Sequence, residues 1–134
     1  MNVLIIEPEK APREAEIGEG LKAMQDVVGG YIEAVYPYDD SVALVCNEEG
    51  KLIGLPLNRK IEDFDIIAGT FFICGLSEDN FATLEPELME KYKEKLARPE
   101  MFMRLGKHII AVPLEPAKES KQSMPGKKIA YDER

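Results

Sequence analysis

Residues 65–75, Asp-Ile-Ile-Ala-Gly-Thr-Phe-Phe-Ile-Cys-Gly, are the most hydrophobic stretch of this chain and the strongest constraint on its fold. A run this short, rich in β-branched and aromatic residues and closed by glycine, reads as a strand rather than a helix. It has almost no polar position to turn toward water, so it belongs in the centre of a sheet. Gly69 sits inside the run. A glycine there marks a bulge or a close approach by a ligand or another backbone, unless it only relieves a clash in ordinary core packing.

The other elements assemble around that strand. Residues 3–6 form a short apolar run ended by Pro8, a buried first strand, and residues 13–17 alternate polar and apolar as a second, partly exposed one. Gly18 and Gly20 open a helix over residues 21–28 with Leu21, Met24, Val27 and Val28 on one face, and Gly29-Gly30 ends it. Period two returns over residues 31–36, residues 37–40 turn, and residues 42–46 are a fully apolar strand. Asn47-Glu48-Glu49-Gly50 reverses the chain, so residues 51–54 are expected to run back as a hairpin arm, and residues 55–65 read as irregular. A second helix starts at Thr83 or Glu85 with Pro86 in its first turn, repeats Leu84, Leu88, Tyr92 and Leu96, and ends or kinks at Pro99. Met101-Phe102-Met103 is an apolar remnant, and residues 108–112 are a last short strand.

The expected class is α+β: a single domain over residues 1–113, with a mixed, mostly antiparallel sheet packed on two helices. A β-grasp-like sheet wrapped on residues 21–28 fits this order, and a mixed sheet with helices on one face fits nearly as well. Residues 114–134, rich in Pro, Lys and Ser, are expected to form a loosely ordered basic tail.

Length and composition support one globular domain: 134 residues, 45% hydrophobic and 31% charged. The formal charge of −8 argues against a general nucleic-acid binder, which needs a basic face. That charge is unevenly spread. Residues 1–90 hold 6 basic and 19 acidic side chains (−13), and residues 91–134 hold 11 and 6 (+5). No apolar stretch reaches the length of a membrane span, and the start lacks the basic and apolar regions of a signal peptide, so a cytoplasmic location is expected. Cys46 and Cys74, each inside an apolar run, read as buried free thiols of a reducing compartment, with a disulfide open only if their strands are neighbours.

No motif announces an activity. Gly50-Lys51, Gly106-Lys107 and Gly126-Lys127 lack the upstream glycine of a phosphate loop, and Gly18-Glu19-Gly20 reads as a helix-start turn. The single histidine, His108, has no partner at metal-ligand or triad spacing, and Asp39-Asp40 and Asp63/Asp65 lack calcium-loop spacing. No catalytic residue, metal site or cofactor is therefore assigned, and no enzyme is expected. Asn58-Arg59-Lys60 is the odd segment, because the 40 residues before Arg59 offer only Lys22 and Lys51 as basic side chains. It is either a loop paired with Asp63 or Asp65, or an anion-recognising loop with Arg59 as fork donor and Asn58 reading an amide or base edge. Thr70 joins it as a candidate contact, as do Tyr36 and Tyr38. Tyr31, Tyr36 and Tyr38 suit stacking on a ligand, covering a homo-oligomer interface, or half-burial in a strand.

Val28-Gly29-Gly30-Tyr31-Ile32-Glu33, Val45-Cys46-Asn47-Glu48-Glu49-Gly50-Lys51, Leu55-Pro56-Leu57-Asn58-Arg59 and the 65–75 run together resemble domain-of-unknown-function family 3846, small proteins of bacteriophages and bacterial mobile elements. The likeness covers about residues 1–95 and carries no catalytic residue over. It implies an accessory protein in the cytoplasm of a bacterial host cell, acting against host defence mostly by binding. Two occupants follow as expectations. The first is a small anionic, nucleotide-derived ligand sequestered at Asn58, Arg59, Lys60, Thr70, Tyr36 and Tyr38, with no direct nucleic-acid or membrane contact. The alternative is a host restriction or nuclease protein inhibited by the acidic surface.

Overall fold

A computed structural model of the protein describes residues 1–78 and 80–114; the tail expected over residues 114–134 lies, apart from Leu114, outside the described residues. The strands are β1 (Asn2–Ile6), β2 (Arg13–Glu16), β3 (Ile32–Val35), β4 (Val42–Asn47), β5 (Leu57–Ile61), β6 (Asp65–Ala68), β7 (Phe71–Ser77), β8 (Asn80–Ala82), β9 (Glu100–Leu105) and β10 (His108–Pro113). The helices are α1 (Leu21–Val28) and α2 (Pro86–Lys95). This is an α+β domain.

The main sheet runs β2-β1-β7-β4-β3, with β8 pairing the end of β7, and every recorded pair is antiparallel. β1, β4 and β7 are buried on both faces, so they read as continuous apolar runs rather than alternating ones. Alternation shows instead in what each face packs against. Leu4, Ile6, Leu44, Phe71 and Ile73 meet Leu84, Met89, Tyr92 and Leu96 around α2. Val3, Ile5, Val45, Phe72 and Cys74 meet Met24 and Val28 of α1. Phe71 and Phe72, both 0% exposed, anchor opposite faces, each burial contributing roughly 2 kcal/mol. The helices thus cover opposite faces, which corrects both the β-grasp-like and the one-sided arrangement. Cys46 and Cys74 also fall on opposite faces and are free.

Residues 65–75 are two strands, not one. Gly69 takes φ +83°, a left-handed conformation that side-chain-bearing residues avoid, and its N–H donates to the Pro56 carbonyl at 2.7 Å. The chain there leaves the β5–β6 hairpin and enters the main sheet as β7. Residues 55–65, expected to be irregular, contain β5, which pairs β6 through a bulge at Leu57/Arg59. Residues 51–54, expected as a returning arm, are a tight turn closed by Ile53 N–Glu49 O and Leu55 N–Gly50 O bonds of 3.0 and 2.9 Å. The 101–103 remnant belongs to β9, whose hairpin with β10 is a separate two-stranded sheet. Among the described residues no helix is long and apolar enough to cross a membrane.

Candidate functional site

Asn58 and Arg59 come together, but in the interior, both 0% exposed. Arg59 Nη1 donates to the Asn58 side-chain and backbone oxygens at 2.8 and 3.3 Å, and Nη2 donates to the Lys10 and Leu96 carbonyls at 2.7 and 3.1 Å. Nε donates to the Leu96 carbonyl at 3.3 Å. These are five bonds from a group with five N–H donors. Asn58 Nδ2 is spent in turn on the Ile6 and Gly69 carbonyls, both at 2.9 Å. Burial pushes the guanidinium pKa down and the Glu100 carboxylate raises it again. Leu96 ends α2, so the cation also sits at the negative end of that helix dipole. The pair is an internal brace joining β5, α2 and the 7–10 turn, with no N–H left over for an anion.

The other expected contacts do not join it. Lys60 faces outward and donates Nζ to the Glu62 carbonyl at 2.7 Å. Thr70 is half-buried in the step between β6 and β7, and Tyr36 is exposed. Tyr38 packs against Tyr92 of α2, with ring centroids 4.7 Å apart, in a small notch that also holds Asp40, Glu62, Lys91 and Lys95. Tyr92 Oη and Lys91 Nζ both donate to Asp40 Oδ2 at 2.7 Å, and Lys95 pairs with Glu62 at 3.0 Å, so the notch's cations already have carboxylates.

A better-formed site lies on the α1 face. Gly29, at φ +80°, and Gly30 stop α1, both N–H groups donating to the Gln25 carbonyl at 2.8 and 3.2 Å. Asn47, at the end of β4, ties this helix end to the following turn. Its Nδ2 donates to the Val28 carbonyl at 3.2 Å and its Oδ1 accepts from Glu49 N at 2.8 Å. A Cβ on Gly30 would come within 2.8 Å of Asn47 Nδ2, so glycine is required for that approach. Glu48 N completes the clamp on the Tyr31 carbonyl at 2.9 Å. The result is a cleft of about 430 Å³ lined by Tyr31, Ile53, Gln25, Asn47, Glu49 and the Lys22–Asp26 ion pair, 2.6 Å long. Tyr31, Ile53 and, on the turn, Leu52 are 68%, 58% and 86% exposed, an apolar surface bordered by the exposed carboxylates of Glu48 and Glu49.

Sequence reasoning named Tyr31 as an interface candidate but missed Leu52 and Ile53, which read as strand residues. The Asn47-Glu48-Glu49-Gly50 reversal was the available signal. A tight turn directly after it throws consecutive apolar side chains outward.

Exposed aromatic and aliphatic groups beside exposed carboxylates can seat a protein surface that offers basic side chains around an apolar patch. No curated protein and no solved structure matches the chain. The family model described as a domain of unknown function, DUF3846, matches residues 1–97, a stretch that holds the main sheet, both helices and this cleft. The chain belongs to the DUF3846 family.

Proposed function

We propose that this chain is a non-enzymatic accessory protein of a bacteriophage or bacterial mobile element, working in the cytoplasm of the bacterial host by binding and inhibiting a host defence protein. The observation that carries this reading is the clamped cleft at which Tyr31 and Ile53, with Leu52 beside them, project next to the exposed carboxylates of Glu48 and Glu49. Restriction and nuclease proteins present basic nucleic-acid grooves, and an acidic rim around apolar anchors is complementary to such a surface. This reading is preferred to capture of a small nucleotide-derived anion because Arg59, the fork donor on which that idea depends, is fully engaged inside the protein.

Affinity capture from host lysate, read by mass spectrometry, tests it with three baits: the native chain, Glu48→Lys/Glu49→Lys, and Leu52→Asp. All three positions are exposed, so the melting temperature of each bait should match the native value. A nucleic-acid-handling protein retained by the native chain at low salt and lost with both variants is the expected result. Equal retention by all three baits sinks the reading. So does one-to-one calorimetric binding of a cyclic or ADP-ribose-type nucleotide that both variants retain.

A further inference from the structure

The β9–β10 hairpin lies beyond the family match and presents an apolar face that nothing covers among the described residues. Its register sets Met101 opposite Val112, Met103 opposite Ile110 and Leu105 opposite His108, so these six side chains share one face. None of them is Asp, Glu, Lys or Arg. Met101, Met103, Leu105 and Ile110 are all exposed, between 41% and 53%. The hairpin is attached at its base, where Glu100 Oε1 accepts from Lys60 N at 2.8 Å and Leu114 N donates to the Pro99 carbonyl at 2.7 Å. A two-stranded ribbon with an uncovered apolar face is marginal in water, so this arm is built to be covered. Its turn carries Lys107, on a chain whose first 90 residues sum to −13, while Arg104, opposite Ile109, points from the other face of the ribbon.

The complementary surface is on the same molecule, at the other end of α2. A groove of about 440 Å³ between β2 and α2 has an apolar floor of Leu84, Pro86 and Met89, the Ala15 side chain lying on the opposite, α1 face of the sheet. Its walls carry Glu14, Glu16 and Glu90. Lys93 reaches Glu14 at 2.6 Å and Glu90 at 3.4 Å, so two of these three carboxylates share one ammonium and Glu16 stands outside that pairing. β2 is also an open sheet edge. Met1 and Ile17 exchange backbone bonds of 2.7 and 2.9 Å, and in an antiparallel ladder bonded pairs alternate. Val3/Ala15 and Ile5/Arg13 are then the other bonded pairs, and Glu14 and Glu16 turn their N–H and C=O groups outward from the sheet.

We propose that the β9–β10 hairpin is a docking arm for a second copy of this chain, seated along β2 in that copy's groove. Its apolar face covers the groove floor, and Lys107 at its turn meets the groove carboxylates, Glu16 foremost. Reciprocal exchange of arms closes a two-fold dimer, which caps both open β2 edges and leaves the Tyr31 cleft on another face free.

Sedimentation velocity on the 134-residue chain tests this. The native protein is expected to be a dimer at about 100 µM that weakens as salt is raised. Met103→Asp on the arm and Glu16→Lys on the groove should each raise the dimer dissociation constant at least about tenfold, with the melting temperature kept when it is read at a concentration where the native chain is monomeric. An equimolar mixture of the two variants should regain dimer mass, because one intact arm then meets one intact groove. A native monomer at every concentration overturns the proposal, as does a dimer that survives both variants. A groove variant that stays dimeric while Met103→Asp is monomeric overturns it, since symmetric hairpin-on-hairpin packing gives that result, and so do two monomeric variants that fail to complement each other.

Discussion

Arg59 holds the carbonyl of Leu96, the residue that ends α2, with two N–H groups at 3.1 and 3.3 Å. The cation caps a helix C-terminus from a neighbouring strand, and the same guanidinium reaches Lys10 and Asn58. Removing it strands four buried or part-buried acceptor oxygens, on Lys10, Asn58 and Leu96, and leaves a void. Arg59→Ala should therefore cost about 3–5 kcal/mol of folding stability. Arg59→Lys, with three donors in place of a planar fork, should cost about 2 kcal/mol. Urea denaturation reads both. A midpoint unmoved by Arg59→Ala would show that the brace does not hold the fold.

Why Arg59 misleads from sequence is a matter of where polarity is spent. Leu57-Asn58-Arg59-Lys60-Ile61 has the look of a solvated loop because polar residues normally face water. Here Asn58 and Arg59 satisfy one another and four backbone carbonyls besides, which no linear pattern encodes. β2, α1, β3 and α2 were legible because their patterns follow periods of two or 3.6, and β1 and β4 because short apolar runs bounded by turn residues read as buried strands, within a residue or two at the ends. The sidedness of the helices was not, since β1, β4 and β7 are apolar on both faces and do not say which helix takes which. Leu52 and Ile53 escaped for a related reason: apolar residues in sequence suggest burial, and only the turn geometry shows them projecting outward.

Gly69 was conspicuous in the sequence, and its structural part is now specific. At φ +83° it redirects the chain between β6 and β7, and a Cβ there would lie 2.6 Å from Leu55 Cδ1. The Leu55 side chain can move, but the left-handed backbone remains strained. Gly69→Ala should destabilise by about 1–3 kcal/mol. Thermal melting would show it, and a variant as stable as the native chain would mean that the backbone relaxes out of this conformation freely.

Cys46 and Cys74 should behave as inert core thiols. Burial pushes their pKa values up to about 11 and about 12, so little thiolate exists at neutral pH. They face opposite sides of the sheet. Native protein treated with a disulfide-exchange reagent at pH 8 should release far less than two equivalents over minutes, and two equivalents promptly in denaturant. Rapid stoichiometric labelling of the native state would contradict the packing of both residues.

The Asp40–Tyr92–Lys91 cluster predicts opposite behaviour at the two ends of the pH range. Hydrogen bonds from Lys91 and Tyr92 hold the Asp40 carboxyl below its ordinary 3.8. An unfolded chain therefore takes up that proton before the folded one does, and this contribution is present above about pH 4 and fades as pH falls further. Burial, reinforced at Tyr92 by the Asp40 hydrogen bond and at Tyr38 by Glu62, raises both phenols above their ordinary 10.0. Their stabilisation is whole below pH 10 and is lost as pH climbs beyond it, because the unfolded chain ionises first. In a spectrophotometric titration, two of the five tyrosines should stay protonated past pH 10 and release their protons together with the loss of tertiary structure. Asp40→Asn should remove the acid-side loss while leaving Tyr38 and Tyr92 late to ionise. Five tyrosines titrating together near pH 10 on a still-folded protein would rule out the buried Tyr38–Tyr92 pair.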